Sequence, residues 1–105
     1  MNTVVRDWFF VSIIDDDFLK GNVLFGYVVY DSSFRFLKDD FVCTSNIIHI
    51  NKSNQLITTE SGSLYQILEK GKRAKIYYEE FELLRNGFNP LHIESIRKSP
   101  TLKVH

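Results

Sequence analysis

The stretch Trp-Phe-Phe-Val-Ser-Ile-Ile at residues 8–14 decides the fold class. Apart from Ser12, its residues are aromatic or β-branched, which are the types that strands favour. The stretch therefore predicts a central β-strand within residues 4–14. The run Asp15-Asp16-Asp17 follows directly. It predicts a turn, because Asp side chains bond to nearby backbone groups and compete with strand pairing.

Four further segments share this composition, and turn signals separate them at short intervals. They predict strands at residues 23–30, 41–50, 56–59 and 63–68. Since parallel neighbours need a crossover of about a dozen residues or more, we expect neighbouring strands to pair antiparallel. Five such strands would form a strongly twisted sheet or a small barrel. Alternation along them predicts six mostly buried side chains: Trp8, Phe10, Val28, Val42, Ile48 and Ile67.

The sequence around the second strand predicts two local features. Residues 18–20 favour one helical turn, closed by Gly21 and Asn22 in left-handed geometry. Gly26 stands in the middle of the strand. It predicts a bulge, a bend, or the close approach of another side chain.

The apolar period changes after Gly71. Apolar residues spaced three, four and three apart predict one face of a helix, formed by Ala74, Tyr77, Phe81 and Leu84. A strand over residues 75–78 is the alternative, because Ile and Tyr also suit strands. Gly87 stands where a C-terminal cap belongs, and Asn89-Pro90 is typical of the start of a second, shorter helix.

These elements predict a single α+β domain over residues 1–105. A mainly antiparallel β core would occupy residues 1–70, a helical segment residues 71–98, and a loose tail residues 99–105. The chain has 44% hydrophobic residues and 25% charged residues, which is ordinary globular composition.

Charge is balanced overall but uneven along the chain. Residues 1–50 hold four basic and seven acidic side chains, whereas residues 51–105 hold nine basic and six acidic. The formal net charge of zero argues against nucleic acid as a partner, because phosphate binding normally needs a basic excess. With one cysteine, no apolar run near the ~20 residues of a membrane span and no signal-peptide pattern, we expect a cytoplasmic location away from membranes.

The sequence does not show an enzyme site, a metal site or a cofactor motif. The three histidines, His49, His92 and His105, have no zinc-ligand spacing, and the acidic runs do not match a calcium loop. Cys43 lies within a predicted strand and is expected to be a buried, inert thiol. No serine stands in a nucleophile elbow. We therefore expect a non-catalytic protein without cofactors.

Two clusters of charge are the candidate partner-binding residues. The acidic candidates are Asp15, Asp16, Asp17, Asp39 and Asp40, all in predicted turns. The basic candidates are Lys70, Lys72, Arg73 and Lys75, at a predicted helix start where they oppose the helix dipole. That conflict with helix stability favours a contact with phosphate or with an acidic protein.

The segment at residues 29–73 resembles a family of small uncharacterised bacterial proteins. The resemblance rests on the motif Asp-Ser-x-x-Arg-Phe at residues 31–36, the box Asp-Phe-Val at residues 40–42, and the later Thr and Tyr strands. The family tends to have Gly where this chain has Asp39. The resemblance implies a β core and carries no activity. Within the motif, we expect Arg35 to place its guanidinium on a neighbouring ring or on the Asp31 carboxylate and so to lock the turn.

These features together predict a small protein that binds another protein and inhibits it. The leading hypothesis is an immunity protein that neutralises a cognate bacterial toxin through its acidic turns. The first alternative is a phage-encoded inhibitor of a host defence complex, comparable to anti-CRISPR proteins. The second is a small-barrel nucleic-acid-binding module that uses the basic run and exposed aromatic side chains.

Overall fold

The computed structural model describes residues 2–99, which form a mostly-sheet α+β fold. Seven strands lie within these residues, followed by one 3₁₀ turn (Tyr78–Glu80) and two helices. The strands are β1 (Asn2–Asp15), β2 (Phe18–Asp31), β3 (Phe41–Cys43), β4 (Ile47–Asn51), β5 (Leu56–Thr59), β6 (Leu64–Ile67) and β7 (Lys72–Tyr77). The helices are α1 (Phe81–Arg85) and α2 (Pro90–Lys98).

The central element of the fold is a long antiparallel hairpin of β1 and β2. Each strand has 14 residues. Asp16 and Asp17 form the two-residue turn, with φ of 48° and 69°, a left-handed pair that Asp and Asn tolerate in such hairpins. The helical turn predicted at residues 18–20 is wrong. The chain has already reversed at Asp17, so Phe18 pairs with Asp15 and the strand begins at once.

The pairs β1–β2, β2–β3, β4–β5 and β5–β6 are antiparallel, as predicted for neighbouring strands. The sheet is nevertheless mixed, because β1 also pairs in parallel along its other edge. Its residues 2–5 pair with β6, and its residues 9–14 pair with β7. Parallel pairing needs a long return connection, which in most proteins is a helix. Here the intervening short strands β3, β4 and β5 provide that return.

The helix predicted from Ala74 is wrong over its first turn, where β7 stands instead. The strand alternative over residues 75–78 is confirmed for residues 75–77, and the strand begins earlier than predicted, at Lys72. Ile76 is buried and Ala74 half-buried, whereas Arg73, Lys75 and Tyr77 are exposed. This period of two suits the free edge of β1 better than the helical spacing does. The helical segment therefore begins only at the 3₁₀ turn.

The sheet has the order β3-β2-β1-β6-β5-β4, with β7 beside β1, and it does not close into a barrel. The single strand predicted over residues 41–50 is divided into β3 and β4. Between them, side chains bond to β2: Thr44 Oγ1 accepts from the Leu24 N–H at 3.0 Å, and Asn46 Oδ1 accepts from the Asn22 N–H at 2.9 Å. The segment between β3 and β4 is thus held against β2.

Two hydrophobic clusters form the core. One lies under the helices and includes Phe9, Val11, Ile13, Phe25, Ile76, Leu84 and Ile93. The other lies inside the curved part of the sheet and includes Val5, Leu24, Val28, Val42, Ile57, Tyr65 and Ile67. Burial is confirmed for Val28, Val42 and Ile67. Trp8 and Phe10 are only half-buried. Ile48 is 60% exposed, because the β4–β5 register shifts around it.

Both helix signals near the C-terminus are confirmed. Gly87 adopts φ of 97° after α1, and its N–H donates to the Leu84 carbonyl. Asn89 caps α2, since its Oδ1 accepts from the His92 N–H at 2.9 Å, and Pro90 occupies the first turn. Arg97 binds Glu80 at 2.6 Å and so ties α2 to the 3₁₀ turn. The predicted tail lies outside the described residues from residue 100 onward.

Candidate binding groove

An open groove of about 360 Å³ lies where β1 leaves β6 and joins β7. β1 is irregular at this point: its pairing with β2 shifts between Arg6 and Phe9, and Asp7 has φ of 48°. β6 ends opposite Val5 and β7 begins opposite Phe9, which leaves a gap in the sheet. The floor of the groove is apolar and consists of Trp8, Phe10, Ile50, Ile57 and Ile67.

Trp8 is held at the centre of this gap by the backbone around it. Its Nε1 donates to the Leu68 carbonyl at 2.9 Å. A Cβ atom at Gly71 would stand only 2.2–2.4 Å from three atoms of the indole, so only glycine lets the indole lie against this backbone. On β2, a Cβ at Gly26 would stand 3.2 Å from Trp8 Cβ. The close approach predicted at Gly26 is therefore confirmed.

Positive charge surrounds the apolar floor. Four cations and one carboxylate line the rim: Lys52, Lys70, Lys72, Arg73 and Glu69. The Arg73 guanidinium lies over the Phe10 ring, with Cζ 5.3 Å from the ring centroid. This contact fixes one cation directly above the apolar floor. The rim thus attracts an anion, and the floor buries apolar surface beside it.

The structure brings three of the four basic candidates to this rim. Lys70, Lys72 and Arg73 line the groove, whereas Lys75 pairs with Ser12 further along β7 and lies in a depression beside α2. The sequence indicated the cations but assigned them to a helix start. It also assigned Trp8 and Phe10 to the core, so the groove itself was missed. Gly71 inside a basic run is the signal that could have shown it.

The acidic candidates form two separate groups. Asp15, Asp16 and Asp17 lie at the tip of the β1–β2 hairpin. Asp40 hydrogen-bonds through its backbone to Val28, which lies opposite Val5 on β1. Ten strand residues separate Val5 from Asp15, which corresponds to about 33 Å. The two groups therefore do not build one acidic face.

Asp39 and Asp40 are also engaged within the fold. Asp39 Oδ1 accepts from Arg6 Nη2 at 3.1 Å, and Asp40 Oδ2 accepts from the Leu37 N–H at 2.9 Å. Asp39 has φ of 73°, the conformation that glycine adopts most easily. These partners indicate that Asp39 and Asp40 shape the loop between β2 and β3.

A buried carboxylate, Asp31, organises the start of the same loop. It accepts five hydrogen bonds, from Thr3 Oγ1, Ser33 N and Oγ, Arg35 N and Phe36 N, at 2.6–3.1 Å. Burial alone would raise the pKa of Asp31, but these bonds outweigh it and hold the pKa far below its usual range. The Arg35 guanidinium lies over the Phe36 ring at 5.1 Å. The ring contact predicted for Arg35 is thus present, while Asp31 accepts from its backbone.

Within residues 2–99, no group of three or more His, Cys, Asp and Glu side chains could hold a metal ion. Among the same residues, none of the helices is long and apolar enough to cross a membrane. No protein-family model, curated protein or solved structure matches this chain.

Cys43 is half-buried rather than buried as predicted, and its thiol is still expected to react slowly. Burial raises its pKa to about 11. Because each pKa unit is a tenfold change, the thiolate at neutral pH is about 100-fold scarcer than for a thiol with pKa near 9. Labelling with a maleimide at pH 7.5 should be slower by roughly this factor in the native protein than in urea. Equal rates in the two states would show that Cys43 is accessible and reactive.

Proposed function

We propose that this protein is a non-catalytic binding protein whose groove holds an acidic segment of a protein partner. The groove itself carries the proposal, because four rim cations surround an apolar floor on which Trp8, Phe10 and Ile50 are partly exposed. Apolar side chains that enter such a pocket supply most of the affinity at protein interfaces. The exposed rim cations would speed the encounter and select acidic sequences. The partner segment should therefore carry a large apolar side chain next to carboxylates.

Arg73 would be the main anion contact. Its guanidinium is already placed over Phe10, so little side-chain freedom is lost when a carboxylate binds. A guanidinium also binds carboxylate with two parallel hydrogen bonds, which a lysine does not. Lys70 and Lys72 stand close by in the chain and add charge without fixed geometry.

Insertion into the groove fits this surface better than strand addition. In the described chain β7 pairs with β1 alone, so its second edge is a sheet edge. Lys72, Arg73 and Lys75 stand on that strand, and basic side chains on an edge discourage pairing with another chain. The partner segment would accordingly be held by side chains rather than by a new backbone ladder.

Single-stranded nucleic acid is the second candidate ligand, because it too combines anions with flat apolar groups. Arg73 covers the Phe10 ring, and the Gly71 backbone covers one face of Trp8. Less ring surface is left for base stacking than in a stacking platform. This favours a protein partner.

We further propose that binding inhibits the partner, as an immunity protein inhibits its toxin. A phage-encoded inhibitor of a defence complex would use the same groove. The small size of the chain and its lack of catalytic motifs support a stoichiometric role. The acidic turns support the role less than the groove does, because they lie in two groups on different parts of the sheet.

Selection from a random peptide library tests the binding proposal. Peptides that bind the immobilised protein should carry an acidic excess and an aromatic or Leu residue. Their affinity should fall at least about tenfold in Lys70→Glu/Arg73→Glu and should weaken with salt. Trp8 is the single tryptophan, so its fluorescence reports binding at the groove. A matched control is Lys38→Glu/Lys98→Glu, which changes two exposed cations elsewhere.

Selected peptides without an acidic excess, or without any effect on Trp8, would contradict the proposal. Tighter binding of a thymidine oligonucleotide at the same site would favour the nucleic-acid module. The inhibitory role has a separate test, in which a partner captured through the groove is titrated with this protein. The activity of the partner should vanish at a one-to-one ratio. Full activity at saturation would refute the inhibitory role and leave the binding proposal standing.

A further inference from the structure

The tip of the β1–β2 hairpin has the chemistry that the groove is proposed to bind. Phe18 is 76% exposed and Leu19 is 59% exposed, although both are large apolar side chains. They directly follow the three carboxylates of residues 15–17 and directly precede Lys20, whose Nζ lies 5.2 Å from the centroid of the Tyr78 ring. Exposed apolar groups beside a cluster of like charges are typical of a contact surface.

We propose that the hairpin tip of one copy inserts into the groove of a second copy. This inference rests on the proposed function, because it names a second occupant of the same groove. The apolar side chains of the tip would meet the apolar floor, and its carboxylates would meet the rim cations. Self-association would then cover the groove at high protein concentration, and a partner would have to displace the tip.

A chain cannot fill its own groove. Eight strand residues separate Trp8 in the groove from Asp16 at the tip, which corresponds to about 26 Å. Along this length β1 is paired with β2 on one edge and with β7 on the other, so it cannot bend back. The tip must therefore reach the groove of another copy.

The contact joins two different surfaces, the tip of one copy and the groove of another. Copies joined in this way form a ring or an open chain, or a two-fold pair if each tip enters the groove of the other copy. Each contact uses one tip and one groove. Two variants, each with one surface removed, should therefore combine into a pair and stop there.

Sedimentation equilibrium tests this assembly. The average mass of the wild type should rise with concentration up to about 1 mM at low salt and fall as salt is added. The tip variant Asp16→Asn/Asp17→Asn/Phe18→Thr should stay monomeric, and Asn preserves the left-handed turn. The groove variant Lys70→Glu/Arg73→Glu should also stay monomeric. An equimolar mixture of the two should form a one-to-one dimer and nothing larger.

Two results would overturn the proposal: a wild type that stays monomeric at about 1 mM and low salt, or a mixture that stays monomeric while each variant is folded by circular dichroism. Amide shifts of the wild type on dilution give a second measurement that needs no variant. They should change at residues 16–19 and at the Trp8 indole together. Changes elsewhere would point to another interface. Acidic peptides would still bind the groove in that case, so the two proposals can fail separately.

Discussion

Replacing Asp31 by Ala should lower the free energy of unfolding by about 3 kcal/mol, a large part of the stability of a small domain. The substitution removes the acceptor of five hydrogen bonds at once. It leaves the buried Thr3 hydroxyl and the backbone donors of Arg35 and Phe36 without that partner. Urea unfolding followed by circular dichroism measures the change. Asp40→Ala is the control: Asp40 is exposed and accepts one such bond, so its loss should cost under about 1 kcal/mol.

The same carboxylate predicts how stability depends on pH. Folding lowers the pKa of Asp31. The ionised carboxylate therefore contributes its full share to the free energy of unfolding above the unfolded-state pKa of about 4. That share is lost as the pH falls through the pKa of the folded state. Burial would also raise the pKa of Glu80, but the hydrogen bonds from Arg97 outweigh burial and lower it. The wild type should therefore lose stability from about pH 4 to pH 2, and Asp31→Asn should show a shallower slope. Parallel slopes would show that Asp31 is not the controlling group.

Gly71→Ala should be the most damaging single change at the groove. The new Cβ would overlap the six-membered part of the Trp8 indole, which must then leave its place and lose the bond to Leu68. Overpacking and the lost hydrogen bond together should cost about 2–3 kcal/mol. The fluorescence of Trp8 should shift, and affinity for acidic peptides should fall more than about tenfold.

Gly62→Ala is a matched control for this substitution. Gly62 has open space around its missing Cβ but a φ of 87°, so alanine there should cost about 1 kcal/mol through backbone strain alone. Trp8 fluorescence should not change. In a Trp8→Leu background, Gly71→Ala should become much less costly, because the clash is removed. An unchanged cost in that background would mean that Gly71 acts through its backbone and not through Trp8.

The local signals in the sequence predicted the turn after β1, the helix caps and much of the β core. Asp-rich turns, Asn89-Pro90 and Gly87 act within a few residues, so their meaning does not depend on the rest of the chain. The parallel ladders could not be predicted in this way. They depend on β6 and β7 reaching β1 from distant parts of the chain. The free edge of β1 decided that Lys72–Tyr77 became a strand, although its apolar spacing also suited a helix.

The candidate site could be predicted only in part from the sequence, because it too depends on contacts between distant parts of the chain. Charge can be counted along a sequence, so the basic run was predicted to contact an anion. Whether Trp8 and Phe10 were buried or lined a groove depended on the gap between β6 and β7. The acidic turns looked equivalent in sequence, but Asp39 pairs with Arg6 while residues 15–17 stand at a tip.

The double pairing of β1 also determines how the chain must fold. Its partners in β6 and β7 lie about 60 residues further along the chain, so closing these ladders requires large loops to be ordered first. Proteins dominated by such distant pairings refold in milliseconds to seconds, far more slowly than helical bundles. During synthesis the β1–β2 hairpin emerges early, with one edge of β1 unpaired and its apolar face uncovered. The nascent chain is therefore most prone to aggregation in the interval before residues 72–77 leave the ribosome.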